Sequence, residues 1–289
     1  MKTTSELIEL LELNQISETS FEGNSKTVGS KNVFGGQVLA QALNAAYRTV
    51  PEGRVCHSLH AYFILAGDLN KPIQFKVQKV RDGGSFTTRY VTAEQDNQSI
   101  FVLAASFQKE EKGYEFQVGM PNVTHPDTLL SWEEIYEQTK DFMPESFSRF
   151  LSLDRPIIFK PTVINNPFEK VDLPPHSHVW FKFKEVPQDF KLSHFHQVLA
   201  YSSDYNILPT ALHPHASQAH YGNTMLASLD HAMWFHREPK DFSGWFLYSI
   251  DVPSTSNARG LTTGKIYSED GILIASVAQE GLMRKITKP

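Results

Sequence analysis

Two stretches, GGQVLAQALNAAY (35–47) and FHQVLAYSSDYNI (195–207), lie over one another with Gln37 on Gln197, Val-Leu-Ala on Val-Leu-Ala, and Asn44 on Asp204. Each is apolar at helical spacing, so each predicts a helix with a buried face. Similarity at a fixed offset marks a duplicated unit, and the segments that follow each helix repeat in the same order. HSLHAYFILAGD from His57 matches LDHAMWFHREP from Leu229, with His60-Ala61 over His231-Ala232. Paired strand candidates come next, IQFKVQKVRDGGSFTTRYVTAEQDNQSIFVLAASFQ from Ile73 and WFLYSIDVPSTSNARGLTTGKIYSEDGILIASVAQ from Trp245. Thr87-Thr88-Arg89 falls over Asn257-Ala258-Arg259, and Gln108 over Gln279. The order helix, strand, strand, turn, strand is written twice.

The last two strands of each unit are joined by polar turns, Asp96-Asn97-Gln98 and Glu269-Asp270-Gly271, the second a strong hairpin signal. They flank Ser99 to Phe107 and Ile272 to Val277, nearly continuous in apolar or small residues, as strands covered by a helix are. The expected architecture is α+β: two antiparallel sheets, each wrapped around a long helix, packed together. The first unit spans 1–115, a linker 116–154 and the second unit 155–289. The linker has prolines at 121, 126 and 144 and a capping-box pattern from Ser131 to Glu134, which predicts a helix. The second unit opens on either IIFKPTVIN (157–165) or HVWFKFKEV (178–186), where Val179, Phe181 and Phe183 alternate with Trp180, Lys182 and Lys184.

Composition narrows the function. A net charge of −5 without long charged runs offers no surface for nucleic acid or an anionic membrane. The single cysteine, Cys56, excludes an internal disulfide and suits a reducing compartment, so a cytoplasmic location is expected. The start, MKTTSELIELLELNQ, is a short amphipathic helix and not the apolar core of a signal peptide. No window approaches a membrane span, and the end, ITKP, lacks a peroxisomal address.

A duplication points to function where its copies differ. Asn44 cannot ionise and Asp204 can, so one copy alone carries a base. Asp204 sits at the edge of the apolar stripe, where desolvation raises a carboxylate's pKa; the plainer reading is a solvent-facing helix acid or a turn-forming Asp before Asn206. Gln279 follows ILIASVA, and its amide suits orienting a water; the plainer reading is an edge-strand amide, and Gln108 has the same place without an acid opposite. Ser228, before LDHAMWF, offers a relaying or nucleophilic hydroxyl, or simply starts a strand; no Gly-x-Ser-x-Gly elbow surrounds it. Gly35-Gly36 at a helix start allows a ligand or oxyanion close to free backbone N–H groups, or else serves helix-sheet packing.

Other features weigh less. The His-x-His pairs at 176/178, 194/196 and 213/215 lack a cysteine or acidic cluster, so no metal is expected. Cys56 and His57 are strand neighbours pointing to opposite faces, not a dyad. Gly83-Gly84 is a hairpin turn rather than a phosphate loop, since no helix follows.

The segments VFGGQVLAQAL, HSLHAYFILAGD, RDGGSFTTR, YSSDYNILP, LDHAMWFH and SNARG…ASVAQEGLMR resemble the acyl-CoA thioesterase II family, in which two hot-dog domains are fused in one chain. The resemblance implies a double hot-dog fold, built as an internal pseudo-dimer, that hydrolyses acyl-CoA to a free fatty acid and coenzyme A without a cofactor. It also implies a water-orienting site of Asp, Ser or Thr, and Gln, matched here by Asp204, Ser228 and Gln279. Many bacterial members have Thr at the second place, so Ser228 keeps the hydroxyl and loses a methyl group. Two alternatives stand beside it: a hot-dog dehydratase of 3-hydroxyacyl thioesters, which needs a histidine paired with an acid near the helix start, and a non-catalytic acyl-thioester binding module. Arg81, Arg89 and Arg259 are unranked candidates for the coenzyme's phosphates. Sheet edges suggest a homodimer or homotetramer.

Overall fold

The computed structural model describes residues 1–142, 151–165 and 169–286. The stretch of the expected linker around Pro144 and the last residues of ITKP lie outside the described residues. Helix α1 (Thr4–Leu11) starts on a Thr3 side-chain cap, and β1 (Asn14–Ser17) and β2 (Ser20–Gly23) follow. Helix α2 (Gly35–Tyr47) has the expected bounds; its Ala, Leu and Gln residues favour helix, and Gly36 through Ala46, none of them charged, are all buried. Four strands complete the first half: β3 (Arg54–Phe63), β4 (Ile73–Asp82), β5 (Phe86–Gln95) and β6 (Gln98–Lys109).

The linker's capping box forms. Ser131 Oγ accepts from the Glu134 N–H at 3.2 Å and the Glu134 carboxylate accepts from the Ser131 N–H at 2.7 Å, starting α3 (Trp132–Thr139). Both candidate opening strands exist, β7 (Ile157–Pro161) and β8 (His176–Phe183), and they pair antiparallel. Helix α4 (Leu192–Ser203), the short α5 (Ile207–Thr210), β9 (Thr224–Ser228), β10 (Asp230–Phe235), β11 (Phe246–Ser256), β12 (Arg259–Ser268) and β13 (Leu273–Lys285) complete the chain.

Three expectations change. First, the two sheets are one: β3 pairs antiparallel with β10, His231 opposite Ala61, so among the described residues thirteen strands form a single antiparallel sheet. Second, α4 stops at Ser203 instead of running to Ile207. Ser202 donates its hydroxyl back to Val198 O, Ser203 Oγ approaches Ala200 O at 2.8 Å, and Asn206 takes a left-handed φ of 66°, so Asp204 becomes the helix C-cap. Third, the strand-level match between the copies slips. Phe101, Leu103, Ala105 and Phe107 face the core of β6, which turns Gln108 outward toward Glu111, whereas Ala275, Val277 and Gln279 are buried in β13. A slip by an odd number of residues exchanges the faces of a strand. Counted from the matching irregularities of the two ladders, Ala93–Phe101 and Ile266–Ala275, Ala105 opposite Arg89 holds the place that Gln279 holds opposite Thr262, three positions from Gln108. His60 is exposed where His231 is buried, and Asn257-Ala258 form a turn while Thr87 to Arg89 lie inside β5.

The two long helices pack antiparallel. A Cβ on Gly36, near the start of α2, would lie 2.5 Å from Tyr201 O near the end of α4, so glycine permits this approach. At the other end Asn44 Nδ2 donates to Gln197 Oε1 at 3.1 Å, and the Tyr47 hydroxyl meets His196 Nδ1 at 2.8 Å. One apolar core runs through both halves, from Leu39 and Leu43 on α2 to Val198 and Leu199 on α4.

Candidate active site

The end of α4 brings Asp204 against the start of α2. There the backbone N–H of Gly36 donates to Asp204 Oδ2 at 2.8 Å, and the positive end of the α2 dipole faces the carboxylate. Gln279, buried on the inner face of β13, donates through Nε2 to Asp204 Oδ1 at 3.2 Å and to Ser228 Oγ at 2.6 Å. Ser228 is brought into reach because β9 pairs with β13, setting it opposite Gly281. The three residues picked out in the sequence therefore meet, with one amide bridging carboxylate and hydroxyl.

Asp204 keeps partial contact with solvent, yet the dense protein around it pushes its pKa above the ordinary carboxylate value. Burial is the dominant cause; hydrogen bonds from Gln279, Gly36 and Ser228 pull the other way. His231 is wholly buried, and desolvation holds its ring pKa below the ordinary value, so it is neutral. Its Nδ1 lies 2.6 Å from Gln279 Oε1 and its Nε2 lies 2.9 Å from Ser203 Oγ. The Tyr248 hydroxyl donates to Ser203 O at 3.0 Å, holding the helix end from below.

His231 and Ser203 were not singled out as site residues in the sequence. His231 had been matched to a histidine in the other copy, and a rule that looks for differences between copies discards such a pair. The available signal was its position three residues after Ser228, with the alternation that puts His231 and Met233 on the same face. Gly36 is present as expected, but its N–H holds the carboxylate. At Gly35 a Cβ would lie 2.8 Å from both Asp204 Oδ2 and the Phe63 ring, so glycine is what lets the acid and the ring approach the backbone this closely.

The remaining candidates take up structural positions. Arg89 is buried and donates to Thr49, Asp82 and the carbonyls of Arg81 and Thr88. Arg259 donates to Glu280 at 2.9 Å, and Arg81 is exposed. Cys56 is buried, with its thiol pKa pushed up by desolvation, and His57 meets Ser106 Oγ at 2.7 Å. Of the paired histidines, His194 accepts from the Lys191 N–H, His213 meets His176 O and His215 meets Thr255. A cavity of about 410 Å³ lies between Tyr47, Arg54 and Lys191, at the Asn44 end of the helix pair and away from Asp204.

Known acyl-CoA thioesterases are similar to this chain along most of its length. Residues 148–282 match the family described as acyl-CoA thioesterase, and residues 22–108 match the acyl-CoA thioesterase N-terminal domain. The chain is 40% identical to acyl-CoA thioesterase 2 of Haemophilus influenzae over 279 residues, covering 96% of each. The crystal structure of an acyl-CoA thioesterase II from Mycobacterium marinum is 33% identical, with a TM-score of 0.79 over 97% of this chain and 99% of that one. A hot-dog-fold protein of unknown function from Alicyclobacillus acidocaldarius, 17% identical, superposes with a TM-score of 0.76 over 98% and 99% and shows the fold alone.

Proposed function

Because the chain belongs to the acyl-CoA thioesterase family and hydrolyses acyl-CoA thioesters, we propose that Asp204, Ser228 and Gln279 carry out the hydrolysis on a water held between them. Asp204 takes a proton from that water as its oxygen bonds to the thioester carbonyl carbon. The tetrahedral intermediate then collapses, the carbon–sulfur bond breaks, and the leaving thiolate takes up the proton to give coenzyme A and the free acid. A carboxylate with a raised pKa is a better base near neutral pH than an ordinary one. Ser228 and Gln279 fix the direction of attack. Gly36 holds the carboxylate, and the positive end of α2 favours the charge that develops on the carbonyl oxygen. This chemistry calls for no metal or cofactor.

The observation that carries the assignment is the Gln279 amide bonded at once to Asp204 and Ser228. The dehydratase alternative needs a histidine free to take a proton from substrate, and both nitrogens of His231 are occupied within the core. The non-catalytic alternative leaves a desolvated carboxylate with no purpose. We further propose that each half is a hot-dog unit around its own long helix, that the halves form an internal pseudo-dimer, and that the protein is a cytoplasmic homodimer or homotetramer. Light scattering tests the last point, and a monomer rejects it.

The decisive experiment is thiol release from acyl-CoA by Asp204→Asn, which recreates the first-half residue. Turnover is expected to fall by at least about a thousandfold with the fold retained; hydrolysis at the wild-type rate rejects the assignment. A single turnover in oxygen-18 water separates direct attack from an acyl-Asp204 anhydride, since label entering Asp204 establishes the covalent route.

A further inference from the structure

The reading of Gln279 above leaves a question that amide chemistry raises. A side-chain amide works as a double donor only if it points one way; flipped, its carbonyl would face the Asp204 carboxylate and repel it. Ser228 does not fix that choice, because its hydroxyl both donates and accepts, and the contact to Asp204, at 3.2 Å, is the longer of the two that the amide nitrogen makes.

We infer that His231 is a positioning residue for the hydrolysis, whose Nδ1–H locks the Gln279 carbonyl and so commits the amide N–H groups to Asp204 and Ser228. The inference rests on the catalytic role proposed for Gln279. An ionised carboxylate only accepts, so the group at 3.2 Å from Asp204 Oδ1 must be the amide nitrogen. The oxygen is then the atom 2.6 Å from His231 Nδ1, and that nitrogen must carry the proton. The buried neutral ring leaves Nε2 as acceptor, and Ser203 Oγ at 2.9 Å is its donor. Ser203 Oγ also lies 2.8 Å from Ala200 O, and its single proton goes to the ring in this tautomer.

Donors therefore run in one direction, from the Ser203 hydroxyl to His231, from His231 to Gln279, and from Gln279 to the carboxylate and Ser228. Ser203 directly precedes Asp204, so the same helix end supplies the base and starts the chain that orients its partner. Met233, two residues along β10, packs its sulfur 3.3 Å from Ser203 Oγ and completes the enclosure.

The test compares His231→Leu, which removes both nitrogens, with His231→Asn, whose amide nitrogen sits near the place of Nδ1 and still donates. His231→Leu is expected to lower kcat by at least about tenfold with KM within about twofold, and His231→Asn to recover most of the loss. In a Gln279→Ala background, His231→Leu is expected to lower kcat no further. Wild-type kcat in folded His231→Leu, no recovery in His231→Asn, or an undiminished loss in the Gln279→Ala background overturns the inference. Wild-type kcat in Gln279→Ala overturns instead the function on which it rests. If the leucine variant does not fold, nitrogen-15 NMR of the wild-type protein decides, with His231 expected bare at Nε2 and protonated at Nδ1. A ring protonated at Nε2, alone or with Nδ1, overturns it.

Discussion

Asp204 sets activity against stability. Its pKa is raised in the folded protein, chiefly by burial, above the ordinary value of 3.8 that it recovers on unfolding. Above the folded pKa it is ionised in both states, and the folded state bears the desolvation cost in full. As pH falls through the folded pKa, the protein takes up a proton before the unfolded chain does, and the cost is relieved. Asp204→Asn is therefore expected to melt higher than wild type at neutral pH, with the gap closing as pH drops toward 3.8, while wild-type kcat/KM falls over that same interval. Melting curves and rate profiles from neutral to acid pH check both; a variant less stable than wild type at neutral pH contradicts it. The adjacent glycines make different demands. Gly35→Ala puts a methyl group 2.8 Å from the Asp204 oxygen and is expected to cut turnover at least about tenfold with little change in melting. Gly36→Ala meets the Tyr201 backbone at 2.5 Å, which cannot swing aside, and is expected to cost about 2 kcal/mol of stability by denaturant unfolding.

At the scale of elements, the helices were plainer in the sequence than their ends. The bounds of α2 follow from the buried apolar run, but α4 stops where Ser202 bonds back to its own turn and Asn206 takes its left-handed conformation. Periodicity alone does not show such a stop. Asn206→Ala is expected to lose about 1 kcal/mol because alanine pays for a positive φ, and Asn206→Gly is expected to retain stability. Equal melting of the two variants would show that the left-handed turn is not what ends the helix. Strand copies were legible as strands but not in register. Between Gln108 and Gln279 the match is three residues out, an odd slip that reverses the face, and only the ladder pairs Arg89–Ala105 and Thr262–Gln279 set it right. Asp204 stands out in the sequence against Asn44 of the other copy, and the family resemblance groups Ser228 and Gln279 with it. His231 and Ser203 act through contacts between distant strands and helix, which linear spacing does not record.

For the molecule as a whole, the antiparallel helix pair gives two ends that the duplication made alike and that now differ. At one end Asp204 faces Gly36 with Ser228 and Gln279 beside it; at the other Asn44 faces Gln197, and Ala105 stands where the amide would be. Restoring the acid alone should then not restore the chemistry. In Asn44→Asp a carboxylate replaces the Nδ2 donor that serves Gln197 Oε1, at a site only 4% exposed and without the paired donors that Gln279 and Ser228 provide. Ionising it there is expected to cost on the order of 3 kcal/mol at neutral pH, with the loss shrinking in acid as the group protonates. The double variant Asn44→Asp with Asp204→Asn is accordingly expected to release no thiol above background. Hydrolysis by that double variant would mean that a carboxylate at a helix junction suffices, and that the amide and hydroxyl are not what distinguishes the working end from the silent one.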